Sequence, residues 1–75
     1  MPTIRRFDNC KICICADDHL PPHFYVEGRG FRVIVEIETM VVRAGNVARA
    51  RAAMAWARAN VAVLRTEWAR LNQRG

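Results

Sequence analysis

His19 and His23 stand on either side of Pro21 and Pro22, two imidazoles separated by backbone that proline holds extended. A rigid spacer presets the distance between its flanking side chains, as a site needing fixed geometry requires. In a catalytic reading His23 is general base or acid, His19 its counterpart, and Asp17 or Asp18 orients one of the rings. Tyr25, two residues after His23, falls on the same face of an extended strand and would donate to a developing negative charge. Asp18, His19, His23 and Tyr25 together suit metal-independent cleavage of a phosphodiester. Metal ligation is a second use for the histidines. The third reading is structural: an aspartate caps the turn, the diproline ends a strand, and the histidines bond backbone left unpaired at the corner.

Cys10, Cys13 and Cys15 raise the question of zinc, because Cys10-x-x-Cys13 has ligand-like spacing that His19 or His23 would complete. Strand geometry opposes it. Cys13 and Cys15 share one face of a strand while Cys10 points to the other. Packing as small hydrophobes is the expectation, with no metal and no cofactor.

Six acidic residues balance the six basic ones in residues 1–46, so the net charge of +5 comes entirely from residues 47–75. There Arg49, Arg51, Arg58, Arg65, Arg70 and Arg74 face Glu67 alone. Arg51, Arg58 and Arg65 recur every seven residues. On a continuous helix they would form a row about 10 Å apart per step. Such a row would follow a phosphate backbone or face an acidic partner protein. It is also what an ordinary solvated helix face looks like, and no aromatic residues interleave with it as a stacking platform for bases would require. Trp68 belongs to an apolar stripe and is expected in the core. Trp56 lies off that stripe, and on an unbroken helix it would join Val63 in an exposed patch suited to a partner.

The elements that must position these residues follow from periodicity. Lys11–Ala16 alternates, with Ile12, Ile14 and Ala16 on one face. Asp17–Pro22 stops that strand. His23–Glu27 reads as a second strand, Gly28-Arg29-Gly30 as a hairpin turn, and Phe31–Glu38 as the clearest strand of all. Thr39-Met40 turns the chain toward a short fourth strand at Val41–Arg43. From Val47 to Gln73 there is neither proline nor glycine, and Asn46 is a good N-cap. Val47, Ala50, Met54, Ala57, Val61, Leu64, Trp68 and Leu71 form a stripe of helical period. A single helix of about 26 residues would run about 39 Å and overhang so small a sheet, which favours a break at Asn60.

The motif Met1-Pro2-Thr3-Ile4, then Arg6-Phe7, then Asp17-Asp18-His19-x-Pro21-Pro22-His23-Phe24-x-Val26 resembles the small bacterial domain-of-unknown-function 4160 family. Ile37-Glu38-Thr39 and a tryptophan-containing helical C-terminus fit it as well. The resemblance implies a short α+β protein without an established activity. It also implies a gene commonly placed beside that of a second small protein, in an arrangement like a toxin–antitoxin pair. The chain departs from the family pattern in two places: Tyr25 replaces a histidine, and Met40 stands where glycine is usual.

Seventy-five residues, 52% of them apolar and 25% charged, make one globular domain near the lower limit of self-sufficient cores. Support from a partner chain, a homodimer or a metal is expected. No apolar run approaches the roughly 20 residues of a membrane span, and nothing at the N-terminus reads as a signal peptide. With an odd number of cysteines, that points to the cytoplasm. The expectation is a single α+β domain over 1–75: a three- to four-stranded antiparallel meander (1–45), with one or two helices (46–73) on one face. For function there are three expectations: an interaction module with a partner protein, a ribonuclease-type enzyme, or a non-catalytic nucleic-acid binder using the arginines.

Overall fold

Residues 23–36 are rich in β-branched and aromatic side chains on either side of a Gly28-Arg29-Gly30 turn. In the computed structural model, which describes residues 1–73, they form the centre of a sheet. Five strands run in sequence order, each antiparallel to its neighbours: β1 (Thr3–Arg6), β2 (Cys10–Cys13), β3 (His23–Gly28), β4 (Phe31–Glu36) and β5 (Val42–Ala44). A 3-10 turn at Val47–Arg49 leads into α1 (Arg51–Ala59) and α2 (Val61–Leu71).

Alternation decides what each face of the sheet carries. Ile12, Phe24, Val26, Val33 and Val35 are fully buried on one face, and Ala53, Met54, Ala57, Leu64 and Trp68 of the two helices pack with them in one core. On the opposite face Cys13, Tyr25, Ile34 and Ala44 are aligned partners across β2 to β5. All eight positions of the helical stripe are buried or half-buried.

The sheet has five strands, not three to four. The additional one is β1, which pairs Arg6 with Lys11 and Arg5 with Ile12. It lies at the sheet edge with three of its four residues exposed, so it lacks the alternation that marks a half-buried strand. Boundaries shift by a few residues: β2 ends at Cys13, β4 ends at Glu36, and β5 runs one residue later than Val41–Arg43. Between β4 and β5 the chain reverses through Met40, whose φ of 60° lies in the left-handed region that glycine favours.

The helical segment breaks at Asn60. The φ of −131° there is outside the helical range, so the backbone ladder cannot continue. The residue serves both sides of the break. Its backbone N–H donates to the Ala57 carbonyl (3.1 Å) and its Nδ2 to Trp56 (2.8 Å), while its own carbonyl accepts from Val63 (3.0 Å) and Leu64 (3.2 Å). Two shorter helices thus cover a sheet that one long helix would overhang. Among the described residues no helix is long and apolar enough to cross a membrane.

Candidate functional site

A meander reverses at every strand, so the β2–β3 loop and the β4–β5 turn fall at the same end of the sheet. The Ile37 N–H there donates to the Pro22 carbonyl (3.0 Å). The C-terminus of α2 arrives at this end too, and Asn72 joins it to the loop. Asn72 Oδ1 accepts from the Asp18 N–H (2.6 Å), and Nδ2 donates to the carbonyls of Cys15 (3.0 Å) and Trp68 (3.1 Å). Asn72 is buried, and its partners Asp18 and Cys15 lie more than 50 residues away in sequence.

Asp18, His23 and Tyr25 meet at one oxygen. The Tyr25 hydroxyl donates to Asp18 Oδ2 (3.0 Å), and His23 Nε2 lies 3.0 Å from the same atom and 3.1 Å from the hydroxyl. Asp18 Oδ1 accepts from the His19 N–H (2.8 Å). On the far side of the ring, His23 Nδ1 lies 2.8 Å from the Pro21 carbonyl, which can only accept, so Nδ1 carries a proton. Nε2, on the near side, faces Asp18 Oδ2 and the Tyr25 hydroxyl. Neither ring nitrogen is left to face solvent.

Burial works against the charge on Asp18. The His19 N–H, the Tyr25 hydroxyl and the two imidazoles outweigh it and hold the carboxyl below its ordinary range. For Tyr25, burial, the bond to Asp18 and the nearby negative charge act together, and the phenol is pushed up to about 12. Arg32, whose guanidinium lies 4.4 Å over the Tyr25 ring, opposes this only in part. The phenol is therefore a hydrogen-bond donor at neutral pH.

The predicted quartet of Asp18, His19, His23 and Tyr25 does come together, with unequal roles. Asp18 rather than Asp17 meets the imidazole. Asp17 is exposed with a φ of 55°, and its N–H points to the Leu71 carbonyl. His23 is 5% exposed, wedged among Tyr25, Trp68 and His19, with all three ring centroids 5.3 Å away. The His19 side chain is 84% exposed, and its Nε2 is 3.7 Å from Asp18 Oδ1, too far for a hydrogen bond. A depression of about 270 Å³ opens beside the cluster, lined by His19, Pro21, His23, Tyr25, Ile34, Glu36, Arg43 and Ala44. Arg43 and Glu36 form an ion pair in its wall (3.0 Å), so the wall is nearly neutral.

The other candidates are dispersed. Cys10 packs into the helix-facing core, while Cys13 is fully buried in the same strand but outside that core. Burial pushes the Cys10 thiol up, which suits packing better than ligation. Among the described residues no three His, Cys, Asp or Glu side chains are grouped to hold a metal. The Asn60 break divides the arginine row, leaving Arg51 and Arg58 on α1 and Arg65 on α2. Arg65 is spent on a bidentate pair with Glu38, 2.8 Å at each contact. Trp56 is half-buried edge-on against Phe7 (6.4 Å between centroids), and Val63 stays exposed.

A family model described as a domain of unknown function (DUF4160) matches residues 10–69. No curated protein and no solved structure matches the chain.

Proposed function

The chain belongs to the DUF4160 family, a domain of unknown function, and from that premise we propose that it is a small bacterial interaction module acting with a partner protein, as in toxin–antitoxin-like pairs. The observation that carries this reading is the state of His23. Both of its ring nitrogens are bound within the fold, at Pro21 on one side and at Asp18 and Tyr25 on the other. The side chain best placed for proton transfer is thereby committed to a clasp joining loop, sheet and α2.

What the clasp stiffens is a surface. Leu20 is 70% exposed in the β2–β3 loop beside His19 and Pro21, and Val41 and Val42 are 45% and 39% exposed at the start of β5, at the same end of the sheet. β5 has no strand neighbour on its outer side among the described residues. An extended segment of the partner would add a sixth strand there and lay apolar side chains against Val42 and Leu20. So small a core also gains from a partner's buried area. The proposal places the protein in the cytoplasm, where its three unpaired thiols stay reduced.

The ribonuclease alternative keeps one favourable observation, the exposed His19 ring at the mouth of the depression. It would require His23 to break from Asp18 or Pro21 before exchanging a proton with a substrate.

The test is co-expression with the small protein encoded next door, followed by size-exclusion chromatography. Co-elution that Leu20→Asp and Val42→Lys abolish, with unchanged thermal midpoints, is the expected result. RNA cleavage by the purified protein that disappears in His19→Ala would put the enzymatic reading in its place.

A further inference from the structure

The opposite end of the sheet has a different character. The β1–β2 turn at residues 7–9 and the β3–β4 turn at residues 29–30 meet there, by the same alternation that gathers the clasp at the first end. Asn9 of the first turn fastens the 3-10 turn to this end, its Nδ2 donating to the Arg49 carbonyl (2.7 Å). Arg5, Arg6, Arg29 and Arg49 are all exposed, and they come from three separate stretches of the chain.

Two of the four are held by aromatic rings. The Arg49 guanidinium lies 4.7 Å over Phe31. The Arg5 guanidinium lies 5.6 Å from the centre of Trp56 and 5.9 Å from that of Phe7. Stacking orders a long side chain while leaving its N–H donors to solvent, which lowers the entropy lost on binding. Among the described residues no carboxylate lies within ion-pair distance of any of the four, whereas Arg32, Arg43, Arg65 and Arg70 are all paired. Nearby, Glu27 is taken by Arg32 (3.2 Å), which leaves Asp8 as the acidic residue of these turns.

We propose that this end of the sheet binds the phosphate backbone of a nucleic acid through Arg5, Arg6, Arg29 and Arg49. A guanidinium presents its donors in a fork that fits two phosphate oxygens. The aromatic faces lie under arginines, so they do not stack bases, and recognition is through charge and largely independent of sequence. An acidic protein fits this end less well. Interfaces between proteins are anchored by buried apolar and aromatic side chains, and the exposed Leu20, Val41 and Val42 lie at the other end. The surface is distinct from the Arg51, Arg58 and Arg65 row and independent of the partner site.

The experiment is fluorescence anisotropy of the full chain with a labelled mixed-sequence DNA duplex between about 50 and 200 mM salt. Binding is expected, with a log–log salt slope of about −3 to −4 if all four arginines neutralise phosphates at about 0.9 each. Arg29→Ala, which removes no packing, and Arg49→Ala should each weaken binding and reduce the slope by about one. Arg5→Lys should keep the slope, and Arg58→Ala should leave it unchanged. Absence of binding at the lowest salt would overturn the proposal. So would a slope that responds to Arg58→Ala but not to Arg29→Ala or Arg49→Ala. Equal affinity for polyglutamate, with the same arginine dependence, would reassign the surface to acidic protein.

Discussion

The hydroxyl of Tyr25 donates to Oδ2 of Asp18 across 3.0 Å, tying the middle of the sheet to a loop carboxylate seven residues earlier. The bond acts on both groups in opposite senses. It helps keep the carboxyl ionised and the phenol protonated, so across the neutral range the pair does not change charge.

Tyr25 is the one tyrosine in the chain, so absorbance at about 295 nm follows its ionisation alone. The midpoint should fall near 12, well above the ordinary phenol value of about 10. Asp18→Asn removes both a hydrogen-bond acceptor and a negative charge and should bring the midpoint down. A midpoint unchanged by that substitution would mean that burial alone sets it. A phenol whose folded value is raised lends stability below about pH 10, and that stability is lost as the pH climbs from 10 toward 12.

The carboxylate predicts the other limb. A folded-state value below the unfolded one gives stability that is present above the ordinary carboxylate range and lost as the pH falls through the folded value. Thermal midpoints measured from pH 7 down to about 3 should drop more steeply for the wild type than for Asp18→Asn, starting near the unfolded value of about 4. Parallel curves would remove Asp18 from the clasp's energetics.

Asn72 should be the most sensitive polar position in the helical segment. Asn72→Ala abandons the Asp18 N–H and the Cys15 carbonyl at a part-buried corner, a loss of about 2 kcal/mol in urea denaturation. Asn72→Asp keeps the acceptor but sets a carboxylate oxygen against the Cys15 and Trp68 carbonyls, and it should cost at least as much.

Two glycines with similar backbone angles should respond differently to alanine. At Gly30 (φ 79°) the space for a Cβ is open, so Gly30→Ala bears only the left-handed penalty of about 1 kcal/mol. At Gly45 (φ 92°) a Cβ would run into the Arg32 carbonyl and the Val33 backbone, and Gly45→Ala should cost about 2 kcal/mol or more. Equal urea midpoints for the two variants would contradict the crowding.

What the chain discloses about itself depends on how far apart the cooperating residues are. The Phe31–Glu36 alternation and the helical stripe repeat within a few residues, and both were readable. So was the meeting of His23 with Tyr25, which a period of two places on one face. The break at Asn60 follows from comparing helix length with sheet size, and the family departure at Met40 falls on the left-handed turn residue itself. β1 was missed because an exposed edge strand carries no burial pattern. Asn72 gave no local sign because two of its partners are more than 50 residues away. The seven-residue arginine spacing describes a row only on a continuous helix, which the break at Asn60 interrupts, and the stacks of Arg5 on Trp56 and Arg49 on Phe31 join segments that no sequence window spans.

The N–H of Ile14 donates to the Pro2 carbonyl (3.2 Å), and Asn72 bonds Asp18 and Cys15 in the same loop region. Both extremities of the described chain therefore emerge at the clasp. An affinity tag or fluorophore attached beyond Pro2 or Asn72 would leave from the clasp end of the sheet while sparing the arginine end. For the same reason a short peptide linker could join the termini, and the ring could be reopened at the β3–β4 turn. Such a circular permutant would leave the partner site unobstructed.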